Sequence, residues 1–145
     1  MSYWKPNLYL TFKQERTQPS IDLVGKIEKE NPLRIIDIGC GPGNSTFVLK
    51  NRCPGAEIIG IDNSESMIEQ AKEKDNDIQW ICKDVQFALS ELGTFDIVFS
   101  NAAIQWIPDQ HLLLQRLFQM LNSGGILAVQ VPCTKNANSY RVAKT

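Results

Sequence analysis

The chain has 145 residues, 43% of them hydrophobic and 21% charged, the length and composition of one ordinary globular domain. Its 15 Lys and Arg stand against 16 Asp and Glu with no basic run, so no nucleic-acid partner is expected. No apolar run approaches a membrane span, the start lacks a signal-peptide core, and Cys40, Cys53, Cys82 and Cys133 form no C-x-x-C pair beside the single His111; the expectation is a cytoplasmic chain with reduced thiols, no membrane contact and no metal site.

Residues 1–16 are aromatic and mixed, with no clear period. Thr17 suits an N-cap with Pro19 in the first turn, and Ile21, Val24 and Ile27 recur at helical spacing until Asn31-Pro32. Leu33 to Ile38 reads as the first strand. A glycine loop follows, and Ser45 or Thr46 opens a helix that Cys53-Pro54-Gly55 ends. Glu57 to Asp62 is a second strand. Ser64 or Ser66 then caps a helix whose Met67, Ile68 and Ala71 face inward. Ile78 to Cys82 is a third strand, Phe87 to Leu92 a short helix, and Phe95 to Ser100 a fourth strand. The most strongly helical segment runs from Gln110 to Leu121, the Asn122-Ser123-Gly124-Gly125 turn closes it, and Ile126 to Val131 is a fifth strand. The tail from Cys133 to Thr145 is polar and offers no element. Strands without polar alternation, interleaved with helices, predict an α/β Rossmann-like three-layer sandwich around a parallel sheet with right-handed crossovers.

The informative stretch is Ile35-Ile36-Asp37-Ile38-Gly39-Cys40-Gly41-Pro42-Gly43-Asn44. A strand, a glycine loop and a helix together make the nucleotide-cofactor turn of open α/β sheets. The dinucleotide fingerprint is G-x-G-x-x-G, but here the glycines fall at Gly39, Gly41 and Gly43, with Asn44 in the last place. Asp37 would put a carboxylate beside a pyrophosphate, and Pro42 removes an N–H donor that an anion would use. S-adenosylmethionine (AdoMet), with an ammonium, a sulfonium and no phosphate, suits this loop better. A glycine turn of this kind is often only a tight connection. Against that reading, Asp62 ends the next strand 21 positions after Gly41, near the offset of ~20 at which a carboxylate accepts ribose hydroxyls.

Asp37-Ile38-Gly39-Cys40-Gly41-Pro42-Gly43, Gly60-Ile61-Asp62, Lys83-Asp84-Val85 and Phe95-Asp96-Ile97-Val98-Phe99-Ser100-Asn101 together resemble the class I AdoMet-dependent methyltransferases. Tyr9-Leu10, Phe12, Glu15-Arg16-Thr17, Ser100 to Trp106 and Ala128 to Pro132 are most similar to the trans-aconitate 2-methyltransferases. The Ser100 to Trp106 segment also resembles methyltransferases of malonyl carrier protein. The resemblance implies AdoMet as cofactor, S-adenosylhomocysteine as product and a small carboxylic acid as methyl acceptor. A non-catalytic AdoMet-binding module is the alternative of another class, and a nicotinamide oxidoreductase ranks third.

On this resemblance Gly39, Gly41 and Gly43 carry the methionine part and Asp37 favours its ammonium, directly or through water. Asp62 accepts the ribose diol, Asn63 and Met67 neighbour the adenine, and Asp84 with Val85 binds it. Asn101 lies beneath the sulfonium. Each has a plainer reading: Asp37 as a strand-end cap, Met67 as core and Asp84 as a turn aspartate. Arg16 is the candidate cation for a carboxylate, and Trp4, Tyr9 and Trp106 are candidate pocket walls. No residue is singled out as catalytic, because methylating a carboxylate needs little proton chemistry.

The family's sheet has the strand order 3-2-1-4-5-7-6. The expectation here is 3-2-1-4-5, lacking strands 6 and 7, as in a C-terminally truncated form. Residues 1–132 would form the AdoMet-binding domain, with 1–30 as a helical segment on the substrate side and 133–145 as a polar tail. The strand 126–131 would then stand at an open apolar edge, sealed by the tail or by self-association, and the tail's few apolar residues favour self-association.

Overall fold

Apolar strands with no polar face must be covered on both sides, and the chain does this with one central sheet. The computed structural model describes residues 17–101, 103–104, 107–132 and 138–144. Strands β1 (Arg34–Ile38), β2 (Glu57–Asp62), β3 (Gln79–Cys82), β4 (Phe95–Asn101) and β5 (Leu121–Pro132) run parallel in the order β3-β2-β1-β4-β5, as expected. Side chains alternate across β1, so Ile35 and Asp37 face one layer while Ile36 and Ile38 face the other. The first layer holds helices α1 (residues 17–25), α2 (Asn44–Arg52) and α3 (Glu65–Lys74), whose Leu23, Val24, Leu49, Ile68 and Ala71 pack with Ile35, Phe99 and Ala128. The second layer holds α4 (Val85–Ala88), a short 3-10 turn (Leu89–Glu91) and α5 (Gln110–Gln119), packed on Ile36, Ile38, Val98 and Leu127.

Several local expectations need correction. Thr17 already lies inside α1, and the buried stripe is Ser20, Leu23, Val24 and Ile27, while Ile21 is 45% exposed. Spacings of three and four define that stripe, and Ile21 falls outside it. Helix α2 begins at Asn44 behind the left-handed Gly43, so Ser45 and Thr46 are helical residues with their hydroxyls turned inward. Ser64, not Ser66, caps α3 by accepting from the Met67 N–H. Met67 does not face inward; it is 37% exposed.

Strand β5 is entered at Leu121, which pairs with Phe95, and the regular ladder with β4 resumes at Ile126; the expected Asn122–Gly125 turn is the unpaired excursion between them. The register against β4 shifts between Phe95 and Ile97, and Gly124 takes a φ of 76° there. Asp96, opposite this excursion, anchors it. One of its oxygens accepts from Asn122 Nδ2, and the other from the Leu33 and Arg34 N–H groups, joining β1, β4 and β5 at one end.

A sixth strand, β6 (Asn138–Lys144), pairs antiparallel with β5 from Ile126↔Lys144 to Pro132↔Asn138. It lies inside the tail read as lacking an element, and it occupies the side of β5 that was expected to be an open edge. The case for self-association there loses its premise. Few apolar side chains do not prevent this pairing, because an edge first needs backbone partners, which any non-proline residue supplies.

Candidate functional site

The crevice opens at the carboxyl ends of β1 and β4, where the order of strands reverses. Open parallel sheets bind ligands at such a switch point because the loops on either side part there. Gly39, Gly41 and Gly43 all have left-handed φ, at 71°, 56° and 99°. At Gly39 the demand is double, since a Cβ there would lie 2.2 Å from the Ala103 Cβ on the β4 side of the crevice. The loop is hung from β2 by the Gly39 and Cys40 N–H groups, which both donate to the Ile61 carbonyl. Ser100 Oγ donates to the Ile38 carbonyl at 2.9 Å and ties β4 to β1 below the opening.

Trp80 of β3 braces the loop from beneath. A Cβ at Gly60 would sit 2.6 Å from its ring and one at Gly43 2.9 Å from it. Phe47 meets the same indole edge-to-face at 5.9 Å, and Trp80 Nε1 donates to the Asp75 carbonyl at 2.7 Å.

Asp62 is held by both oxygens. One accepts from the Gly41 N–H at 3.0 Å and the other from the Ser64 N–H at 2.8 Å. The loop amide that a pyrophosphate would use is therefore spent on a carboxylate. Each oxygen keeps a further lone pair for a ligand donor. Beside it lies a cavity of about 480 Å³ with Ile38, Ile61, Val85, Ala103 and Ile107 as apolar lining and Asp62, Asn63, Lys83, Asp84 and Gln86 as its polar groups. Asp84 Oδ1 accepts from the Gln86 N–H at 2.9 Å and caps α4. Such a cavity takes a flat, largely apolar ring carrying hydroxyl donors. A larger cavity of about 990 Å³ lies between residues 25–33 and 52–56, at the amino ends of the strands. It is not the site, because ligands of parallel sheets sit at the other end.

Asp37 lies under the loop with no exposed surface. Its Oδ2 accepts from Ser45 Oγ at 2.6 Å and Thr46 Oγ1 at 2.8 Å, while Oδ1 has no protein partner. Burial drives its carboxyl up to about 7, against the pull of those two hydroxyls, and the charge of Asp62 adds to the rise. Cys40, buried between these acids, has its thiol pushed up by burial first and by both charges after it. Asn101 turns to the α1 side and donates through Nδ2 to Ser20 Oγ at 2.8 Å.

The structure thus gathers Gly39, Asp62, Asn63, Asp84 and Val85 around one cavity, with Gly41 and Gly43 in the loop above it. Asp37 and Asn101 stand on the opposite face of the sheet at the same end, and Met67 lies on the exposed part of α3. Trp4, Tyr9, Arg16 and Trp106 lie outside the described residues. The sequence reading missed Ile107, Ala103 and Gln86 as lining residues, and Ser20 and Gln130 as buried polar groups. Gln86 had a signal, being the next residue after Lys83-Asp84-Val85.

A sequence model of the family described as "Methyltransferase domain" matches residues 29–145. The chain belongs to the methyltransferase domain family. Among its curated relatives are the trans-aconitate 2-methyltransferase of Variovorax paradoxus (strain S110), 38% identical over 97% of this chain and 54% of the relative. That of Escherichia coli (strain K12 / DH10B) is 42% identical over 91% of this chain and 52% of the relative. The chain spans about half the length of these curated relatives. Among solved structures, the plantazolicin methyltransferase BpumL in complex with SAH superposes with a TM-score of 0.66 at 25% identity, over 83% of this chain and 46% of that one. The family match runs through β6, so the tail belongs to the matched domain.

Proposed function

We propose that this methyltransferase domain binds AdoMet in the crevice and serves methyl transfer to a small carboxylic acid of the trans-aconitate kind. The observation that carries the reading is Asp62, fixed by the Gly41 and Ser64 N–H groups beside a cavity of mixed apolar and polar lining. That arrangement accepts a ribose diol, and with the Gly41 N–H already engaged and two carboxylates in the lining it suits a diol better than a phosphate. The acceptor class is supported by curated relatives 38% and 42% identical that carry the trans-aconitate name.

The residues present fit the cofactor. Asp62 takes the ribose hydroxyls, and Asp84 with Val85 and Asn63 holds the adenine. The left-handed Gly39, pressed against Ala103, leaves bare backbone for the chain between sugar and amino acid. Asp37 Oδ1, buried without a protein partner, is the acceptor left for the ammonium. When bound, AdoMet supplies an electrophilic methyl group on a sulfonium. A carboxylate acceptor is already anionic at neutral pH, so the protein's share is binding, orientation and exclusion of water rather than proton removal. Arg16 is assigned to the acceptor's carboxylates for its planar fork. We place the chain in the cytoplasm, on its free Cys40, Cys53 and Cys82; no helix among the described residues is long and apolar enough to cross a membrane.

Titration calorimetry with S-adenosylhomocysteine and with NAD, side by side, tests the cofactor. Binding of the first and not the second is expected, and the reverse overturns the reading. A methyl-transfer assay with trans-aconitate then tests the acceptor; binding without transfer would leave a cofactor-binding module.

A further inference from the structure

Among the described residues three buried side-chain oxygens have no hydrogen-bond partner on the protein: Asp37 Oδ1, Asn101 Oδ1 and Gln130 Oε1. They share one place. β1 and β4 pair Asp37 with Phe99, and β4 and β5 pair Asn101 with Gln130. Side chains alternate along each strand, so all three stand on the α1 side of adjacent strands, near the carboxyl ends. Gln130 is only 2% exposed and Asp37 is fully buried. Asn101, between them, is steadied by its bond to Ser20 Oγ, itself buried on α1.

The spacing lets them share one ligand group. Two strand separations of about 4.8 Å and two residue rises of about 3.3 Å put the Asp37 and Gln130 Cα atoms about 12 Å apart. Two hydrogen bonds to a single nitrogen cover about 6 Å of that, and the side chains cover the rest. Carboxylate and amide oxygens are acceptors, so what completes the row is a group rich in N–H donors. An anionic methyl acceptor would be repelled by it. The cavity that fits a nucleoside lies on the α4 side of the same opening, with Gly39 in its lining.

Resting on the AdoMet reading, we propose that Gln130 is a cofactor-binding residue whose Oε1 accepts from the primary ammonium of the methionine end, together with Asp37 and Asn101. Nothing in the glycine motif points to β5, which is why the residue escapes a motif-based reading. The arrangement also explains an amide oxygen otherwise buried without a partner in a strand of aliphatic residues.

The test compares two ligands on the full chain: S-adenosylhomocysteine, which carries the ammonium, and 5′-methylthioadenosine, which keeps the thioether nucleoside and lacks the amino-acid end. Gln130→Met is expected to weaken S-adenosylhomocysteine by about tenfold or more, the worth of a hydrogen bond to a charged group. It should leave methylthioadenosine affinity unchanged and raise the melting temperature of the ligand-free chain, because an orphaned amide gives way to an unbranched apolar side chain. Gln130→Leu should give the same ratio of affinities, so the result does not depend on one variant folding. Equal losses for both ligands, or no loss for either, would overturn the assignment. A wild-type chain that binds neither ligand overturns the cofactor reading, and this one with it.

Discussion

Replacing Asp37 by Asn keeps the shape of the side chain and both hydroxyl bonds from Ser45 and Thr46, since the amide oxygen can accept them in place of Oδ2. It removes the titration. The carboxyl has its ordinary value near 3.8 in the unfolded chain and about 7 in the fold. A group raised in this way favours the fold fully below its unfolded value, and the benefit is lost as pH rises through the folded value. At about 1.4 kcal/mol per pH unit, the interval from 3.8 to about 7 is worth up to roughly 4 kcal/mol. Asp37→Asn should therefore unfold at higher urea than the wild type above pH 7, with the gap closing as pH falls toward 4. Urea melts at half-unit pH steps measure it directly. The same variant should bind S-adenosylhomocysteine more weakly above pH 7, where the wild type offers a carboxylate. Stability curves that run parallel from pH 4 to 8 would refute the account, because they would mean that Asp37 titrates alike in both states.

Other substitutions probe the remaining parts of the site. Asp62→Ala should weaken S-adenosylhomocysteine by at least about tenfold in calorimetry, at ~1.4 kcal/mol per factor of ten; an unchanged constant in a folded variant would remove the ribose role. Gly39→Ala places a methyl group 2.2 Å from the Ala103 Cβ at a φ of 71°, and should cost about 2–4 kcal/mol in denaturant melts from backbone strain and overpacking together. A midpoint within error of the wild type would show that the crevice is looser than described. Trp80→Ala should cost about 3–5 kcal/mol by opening a cavity under the loop, and Trp80→Phe clearly less. If the two cost the same, the indole is not the brace.

The fold was legible wherever the signal was local and repeated. Apolar runs gave the five parallel strands, and the Gly39, Gly41 and Gly43 spacing with Asp62 pointed to the crevice. Asp37 shows where a pattern stops: its place before the glycines marked it as polar and near the ligand, but only the packed structure shows it gripping Ser45 and Thr46. Gln130 and Ser20 gave no signal, because a lone polar residue in an apolar strand or helix has meaning only once its neighbours across the sheet are known. Asn122 to Gly125 looked like a turn because its residues prefer one. They leave the ladder as a short excursion with a left-handed Gly124, which Asp96 ties back to the sheet, so only the pairing of Leu121 ahead of it escaped the pattern. Strand β6 was lost for a related reason, since pairing at an edge draws on backbone groups that composition does not reveal.

The reversal of strand order at β1 also bears on how the chain comes into being. Ile36 of β1 pairs with Ile59 on one side and with Val98 on the other. Synthesis delivers the first partner early and the second, Val98, 39 residues after Ile59, about 2–8 s at 5–20 residues per second. During that interval a nascent β1-β2 pair, joined late by β3, would present Ile35, Ile36 and Ile38 along an unpaired edge, which invites association between growing chains. The most central strand of the finished molecule is thus the most vulnerable one on the ribosome. Substitutions that slow the arrival of β4 should lower soluble yield well before they alter the stability of the folded protein.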